Sequence, residues 1–349
     1  MPPRKVTPKT PRMIDVAREA GVSRMAVSAV LMGTGQGGIR VAAETAERIR
    51  QIAAAIGYRP NPAAQQLAGK SSGTVAIVAR DWGNFLAQRT LSWLHDATDE
   101  HGFRVLSART TETLAPLEQF LQDLNSGWVD GVIYLAHENE EQWPETARRL
   151  AGVPGALTAI GDLQSPDVNA VVSDVTTGAR ATIEHLRDRR RQRIVFVTET
   201  LDQPAIQQRL TTYLAAAREL GLPFNERHVV VETRGWMIGN AAYYPKFEGL
   251  ARRLIDEFRS DAVICDSDFT ALGLLRAFRR LGVFAPHDLS VTGWGDLQFS
   301  GSFDPSITTV SHNLPQLLAR VVARVNTKSE PTSAHREVVP TRLVVRESS

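Results

Sequence analysis

The residues best suited to chemistry in this 349-residue sequence stand near its start, at Ala20-Gly21-Val22-Ser23-Arg24. Gly21 can take the left-handed conformation that closes one helix, and Ser23 can cap the orphan amides of the next. Val22 plugs the space between the two helices, and Ala17 is small, as a close helix crossing requires. The second helix then turns Arg24, Met25, Ser28 and Ala29 outward from its first turns. Such side chains fit base edges in a major groove: Arg24 pairs bidentately with guanine O6 and N7, Met25 and Ala29 meet thymine methyls, and Ser23 or Ser28 bonds phosphate. This is helix-turn-helix chemistry, which reads a polymer and transforms nothing. An αα-corner in a purely structural subdomain is the alternative reading of the same turn.

Charge favours the first reading. Residues 1–70 carry eleven Lys and Arg against four acids, a net +7, whereas the remainder carries −5, so the near-neutral total of +2 hides a strong asymmetry. A basic block joined to a larger acidic one is what a chain with one end on a polyanion needs.

Enzymatic chemistry finds no foothold. No H-E-x-x-H, C-x-x-C or P-loop is present, and eight scattered histidines with one cysteine give no metal-ligand spacing. Asp266 and Asp268 could be posed as an acid pair, but no further residues complete a catalytic constellation around them. Neither a catalytic residue nor a metal or cofactor is therefore expected. The loop from Met32 to Arg40 holds Gly33, Gly35, Gly37 and Gly38, yet it follows a helix and ends in Ile-Arg, so it reads as a connector rather than a phosphate cradle. A single cysteine, no apolar run of membrane-spanning length and a basic, Pro-rich start without an apolar segment point to a cytoplasmic protein.

The elements that must position these residues fall into two classes. Up to about residue 58 the chain is alanine-rich, with helices over Met13 to Ala20, Arg24 to Met32 and Ala43 to Ile56. Val16, Ala17, Ala20, Val22, Val27, Val30, Leu31, Ile49, Ile52 and Ile56 supply their common core. After Gly73, β-branched runs such as TVAIVA, DGVIYLA, RIVFVT, DAVICD and LSVTGW alternate with segments of helical period. Repeated βα units mean parallel sheet covered by helices. Nine or more strands exceed one comfortable open sheet, so two doubly wound lobes with a ligand cleft at their strand ends are expected.

The segment IDVAREAGVSRMAVSAVL resembles the DNA-binding motif of the lac repressor family of bacterial transcription regulators (LacI/GalR-type). The likeness continues through GYRPN and AAQQLAGK, similar to the family's hinge, and through DGVIYLA, VVSDVTTGARATIEHL, ALGLLRAFRRLGV, P-x-D-LSV-x-G, P-x-ITTV and RLVVRESS. It implies a small all-α helix-turn-helix head on an α/β core of two doubly wound, periplasmic-binding-protein-like lobes. The implied division is a DNA-binding domain at 1–58, a hinge at 59–72 and an effector-binding, dimerising core at 73–349. Lobe one would comprise about 73–173 plus 305–328, and lobe two about 174–304 plus 329–349.

By the same resemblance, a homodimer sets two recognition helices on a near-palindromic double-stranded operator, while Ala64 and Leu67 enter the minor groove, Leu67 as an apolar wedge. A small effector, a sugar or sugar acid, would sit between the lobes against Asp81, Asn84, Leu86, His137, Arg209, Trp236, Asp268 and Trp294. Arg209 matches the arginine with which the family grips polar effector groups, and Ser267-Asp268 stands in its Asn-Asp pair. The sequence departs from the pattern at Ala26 and Ala29, where threonine and arginine are usual. It departs again at Gly295, where the family often has the aspartate that holds sugar hydroxyls. A small-molecule receptor without DNA function is the competing reading, and it leaves the basic helical head unexplained.

Overall fold

Three short helices open the chain, α1 (Met13–Ala20), α2 (Arg24–Met32) and α3 (Ala43–Ala55). The computed structural model describes residues 11–32, 40–59, 71–79, 85–109, 115–135, 148, 157–160, 168–232, 243–326 and 335–349. Each end of α1 has a local cause. The Asp15 carboxylate accepts from the Arg12 amide at 2.8 Å at its start. At its end Gly21 takes φ +64°, and the Val22 amide donates back to the Ala17 carbonyl at 3.1 Å. That positive φ frees the chain to turn at once into α2, a conformation that suits glycine because it lacks a Cβ.

Val16, Ala17, Ala20, Val27, Ile49 and Ala53 form the buried centre of the head, with Val22, Val30, Leu31, Ile52, Ile56 and Tyr58 packed against it. Val16, Val27 and Ile49 are wholly buried. Each such side chain contributes about 1.5–3 kcal/mol of apolar burial. The expected apolar set is thus found in the observed one, with Met13, Val41, Ala53 and Tyr58 added.

Contacts divide the chain into two units, Met1–Thr74 with Asp123–Asp130, and Val75–Gln122 with Gly131–Ser349. The first holds the head; the second holds nearly all of two six-stranded sheets. In sheet one, β1 (Thr74–Ala79), β2 (Arg104–Arg109), β3 (Gly131–Leu135), β4 (Leu157–Ile160), β5 (Ala170–Asp174) and β11 (Arg336–Pro340) lie in the order β11-β5-β4-β3-β1-β2. In sheet two, β6 (Ile194–Thr198), β7 (Val229–Val231), β8 (Ala262–Cys265), β9 (Ser290–Trp294), β10 (Thr308–Ser311) and β12 (Arg342–Val344) run β12-β10-β9-β8-β6-β7. The central pairings β1–β3, β3–β4, β6–β8 and β8–β9 are parallel, while β10–β12 is antiparallel. Strands β1, β3, β6, β8, β9 and β10 are buried along their whole length, as central parallel strands under two helical layers must be.

The helices follow the strands in βα fashion: α4 (Phe85–Glu100), α5 (Ala115–Asn125), α6 (Val175–Asp188), α7 (Pro204–Glu219), α8 (Tyr243–Asp256), α9 (Asp268–Arg280) and α10 (Leu314–Asn326). Asp174 ends β5 and caps α6, its Oδ1 accepting from the Thr176 amide at 2.9 Å.

The tail corrects the expected lobe limits. Strand β10 (Thr308–Ser311) belongs to sheet two, not lobe one, and β11 (Arg336–Pro340) belongs to sheet one, not lobe two. Only α10 between them packs on lobe one, through Leu317, Leu318, Val321, Val322 and Val325. The chain therefore passes between sheets three times, after β5, after β10 and after β11. Short apolar runs such as ITTV and VVP carry no mark of which sheet edge they will extend, so the order of crossings was not readable from them.

Candidate nucleic-acid interface and ligand cleft

The start of α2 is built as its sequence predicts. Ser23 Oγ accepts from the Ala26 amide at 3.1 Å and so caps the helix. Val27 is turned inward, Arg24 lies in solvent, Ser28 and Ala29 are partly exposed, and Met25 is 66% exposed. Arg24 with Ser28, and Met25 with Ala29, are spaced i,i+4 and share a helix face. One residue there was missed from sequence: Tyr58. It packs against the core of the head, where burial pushes its hydroxyl above the ordinary range while the Arg24 charge pulls the other way. Its distance along the chain from Arg24 hid it.

At the carboxyl ends of sheet two a second cluster forms. Arg209, on α7, is 7% exposed and donates from Nη1 to the Asp266 carbonyl at 3.0 Å. Its guanidinium carbon lies 4.2 Å from the centroid of the Trp294 ring, a cation–π contact. Its Nε is buried and has no hydrogen-bond partner among the described residues. A buried, unsatisfied donor costs about 1–3 kcal/mol, and such groups are retained where something else supplies the acceptor.

Trp294, last residue of β9, donates from Nε1 to His312 Nε2 at 3.1 Å. That bond assigns the imidazole proton to Nδ1, which faces Ser173 Oγ at 3.2 Å. Burial, with help from the Arg209 charge, lowers the His312 pKa to about 4, so the ring is neutral at pH 7. Arg209, Trp294, His312 and Ser173 form a chain from the interior of lobe two, through the second crossing, to the end of the last lobe-one strand before the first crossing. His312 and Ser173 were not singled out from sequence, because their meeting depends on the crossing order.

Asp268 requires a correction. It is not a strand residue alongside Asp266 but the first residue of α9, and it is wholly buried. Its Oδ2 accepts from the Leu297 amide and Ser300 Oγ, each at 2.7 Å, and its Oδ1 accepts from Thr309 Oγ1 at 2.5 Å. Burial pushes the carboxyl above the usual range against the pull of these donors. With both oxygens committed inside the lobe, this carboxylate holds β9, the following loop and β10 together and is not a ligand contact. Asp266 accepts instead from the Glu199 amide at 2.7 Å and from Thr270 Oγ1 at 2.8 Å.

Of the other expected contacts, Ala64, Leu67, Asp81, Asn84, His137 and Trp236 lie outside the described residues, and Leu86 is placed only as a backbone position in the first turn of α4. Among the described residues no group of three His, Cys, Asp or Glu is placed to hold a metal ion. No described helix is long and apolar enough to cross a membrane.

Comparison with known proteins agrees with this architecture. Residues 12–61 match the family described as bacterial regulatory proteins, lacI family, and residues 183–349 match a periplasmic binding protein-like domain. Catabolite control protein A of Priestia megaterium is 25% identical over 340 residues, covering 96% of this chain and 98% of that protein. The ribose operon repressor of Halalkalibacterium halodurans is 25% identical over 343 residues, 96% of each. In fold, the chain is similar to the lac repressor dimer bound to operator and the anti-inducer ONPF, with a TM-score of 0.77 at 22% identity, covering 97% of this chain and 99% of that one. The relatives are transcriptional regulators and not enzymes. The chain thus carries a match to the lacI family of bacterial regulatory proteins at residues 12–61 and a match to a periplasmic binding protein-like domain at residues 183–349, in a fold similar to that of the lac repressor.

Proposed function

We propose that the chain is a repressor that binds a near-palindromic operator as a homodimer, and that a small effector held between its two core lobes changes operator affinity. Residues 1–58 act as the reading head, 59–72 as the hinge, and the remainder as the sensing and dimerising core. The observation that carries the reading is the Ser23-capped helix, whose interior positions are packed while Arg24 and Met25 stand in solvent at its first turn. Arg24 pairs with guanine, Met25 and Ala29 meet thymine methyls, and Ser23 or Ser28 bonds phosphate. Ala64 and Leu67 serve the minor groove.

On the sensing side, the unsatisfied Nε of Arg209 supports a polar effector group at that point, with Trp294 beside it. Asp81, Asn84, Leu86, His137 and Trp236 complete the proposed contacts, and Asp268 is left out. A sugar or sugar acid fits an arginine flanked by an aromatic face, and the ribose operon repressor among the relatives points the same way. An effector acts only by favouring one lobe arrangement over the other, and its coupling to DNA is reciprocal.

Filter retention of genomic DNA fragments by the full chain, with and without a panel of sugars and sugar acids, tests the reading. Retention of a few fragments, altered by one class of compound, is expected. Equal retention of all fragments under every condition overturns it.

A further inference from the structure

The residues that deliver the chain from the hinge into the core converge on one carboxylate. Asp130, immediately before β3, receives four donors from the stretch immediately before and at the start of β1. They are Ser71 Oγ at 2.5 Å and the amides of Ser72 at 2.8 Å, Gly73 at 2.6 Å and Thr74 at 3.3 Å. Gly73 takes φ +62°, which lets three successive amides turn to the same side, the concave arrangement that cradles an anion. The Asp130 amide returns a bond to the Thr74 carbonyl at 2.8 Å, so the contact closes in both directions. Ser71 Oγ also accepts from the Gly73 amide at 3.3 Å, and Ser72 Oγ accepts from the Thr74 amide at 3.1 Å.

A strand pairing needs only the backbone bonds between β1 and β3. The carboxylate adds charge-assisted bonds to Ser71 and Ser72, which precede the strand and belong to the linker. Burial alone would raise the Asp130 pKa, yet these bonds outweigh it and hold the carboxyl below its usual range. An ionised carboxylate with both oxygens engaged leaves the linker exit one geometry.

We propose that Asp130 is the positioning residue that fixes the exit of the linker, and that operator affinity depends on this clamp although Asp130 touches no DNA. The inference rests on the repressor reading above. When the start of β3 shifts, the linker shifts with it; when the clamp is cut, the head is tethered but no longer aimed.

The test uses the full chain and compares its selected operator with a random-sequence duplex by fluorescence anisotropy. Asp130→Asn keeps the side chain's shape but turns an amide donor toward amide donors. It is expected to weaken operator binding about tenfold, the effect of losing one or two charge-assisted bonds, with random-duplex affinity unchanged and faster hydrogen exchange at the amides of 72–74. Ser71→Ala, at an exposed position that removes a single donor, is expected to give the same pattern about threefold, and decides the matter if Asp130→Asn does not fold. Operator affinity equal to wild type in the folded variants overturns the clamp, as does parallel loss on both duplexes, which marks a merely structural role. A wild-type chain without operator preference overturns the repressor reading itself, and the coupling claim with it.

Discussion

Replacing Asp268 separates a ligand contact from an internal tie. Asp268→Ala strips the acceptor from the Leu297 amide and from the Ser300 and Thr309 hydroxyls in a site with no solvent access. Each orphaned donor costs about 1–3 kcal/mol, but the two hydroxyls can rotate toward other acceptors, so a total of about 3–5 kcal/mol follows. In a core of this size each kcal/mol moves the melting midpoint by about 2–4 °C, giving a fall of about 6–20 °C. Asp268→Asn keeps one oxygen for the Leu297 amide, and because burial already disfavours the charge, its loss costs less, about 1–2 kcal/mol. Circular dichroism melts of the two variants, followed by ligand-induced midpoint shifts with an identified effector, read both effects. If Asp268→Ala melts within about 2 °C of wild type yet loses the ligand response, the carboxylate faces the effector and the structural assignment is wrong.

Three further outcomes follow. Arg24→Ala is expected to weaken operator binding by about 1–3 kcal/mol and relax selectivity at one base pair, checked by competition against single-site operator variants; uniform weakening on all DNA removes Arg24 from base reading. Gly21→Ala forces an alanine into φ +64° with nothing within 4 Å of its Cβ, so the penalty is purely conformational, about 1–2 kcal/mol, visible as faster amide exchange in α1 and α2; unchanged protection contradicts the turn argument. His312, whose pKa falls from 6.5 to about 4 on folding, binds fewer protons folded than unfolded, so its contribution is complete above pH 6.5 and is lost as pH falls toward 4. The loss is about 3 kcal/mol, and urea melts at pH 5 and 7 should show a smaller pH dependence for His312→Gln; the same dependence in both proteins contradicts the neutral-imidazole assignment.

What was legible in the sequence was local. Gly21 and Ser23 mark the turn because a left-handed stop and a hydroxyl cap act within four residues, and the three head helices follow from an apolar period that their own side chains fill. The central strands were visible for the same reason, since burial on both faces demands unbroken runs such as TVAIVA and RIVFVT. What failed depends on distant partners. Asp268 looked like an effector ligand beside Ser267, and only the loop after β9 and strand β10, reached 29 to 41 residues later, show that its oxygens are spent. The His312–Ser173 contact joins residues 139 apart, and Asp130 meets Ser71 across 59. Neither separation leaves a mark on local composition. The tail strands β10 and β11 were assigned to the wrong lobes because either sheet offers an edge to a short apolar run.

The central claim is that the head reads sequence as a two-fold pair. Repeated selection of duplexes from a random DNA pool by the full-length chain tests it most directly. The account predicts enrichment of a near-palindrome with half-sites about one helical turn apart, or a multiple of it. A pool that emerges from selection as random as it entered contradicts it.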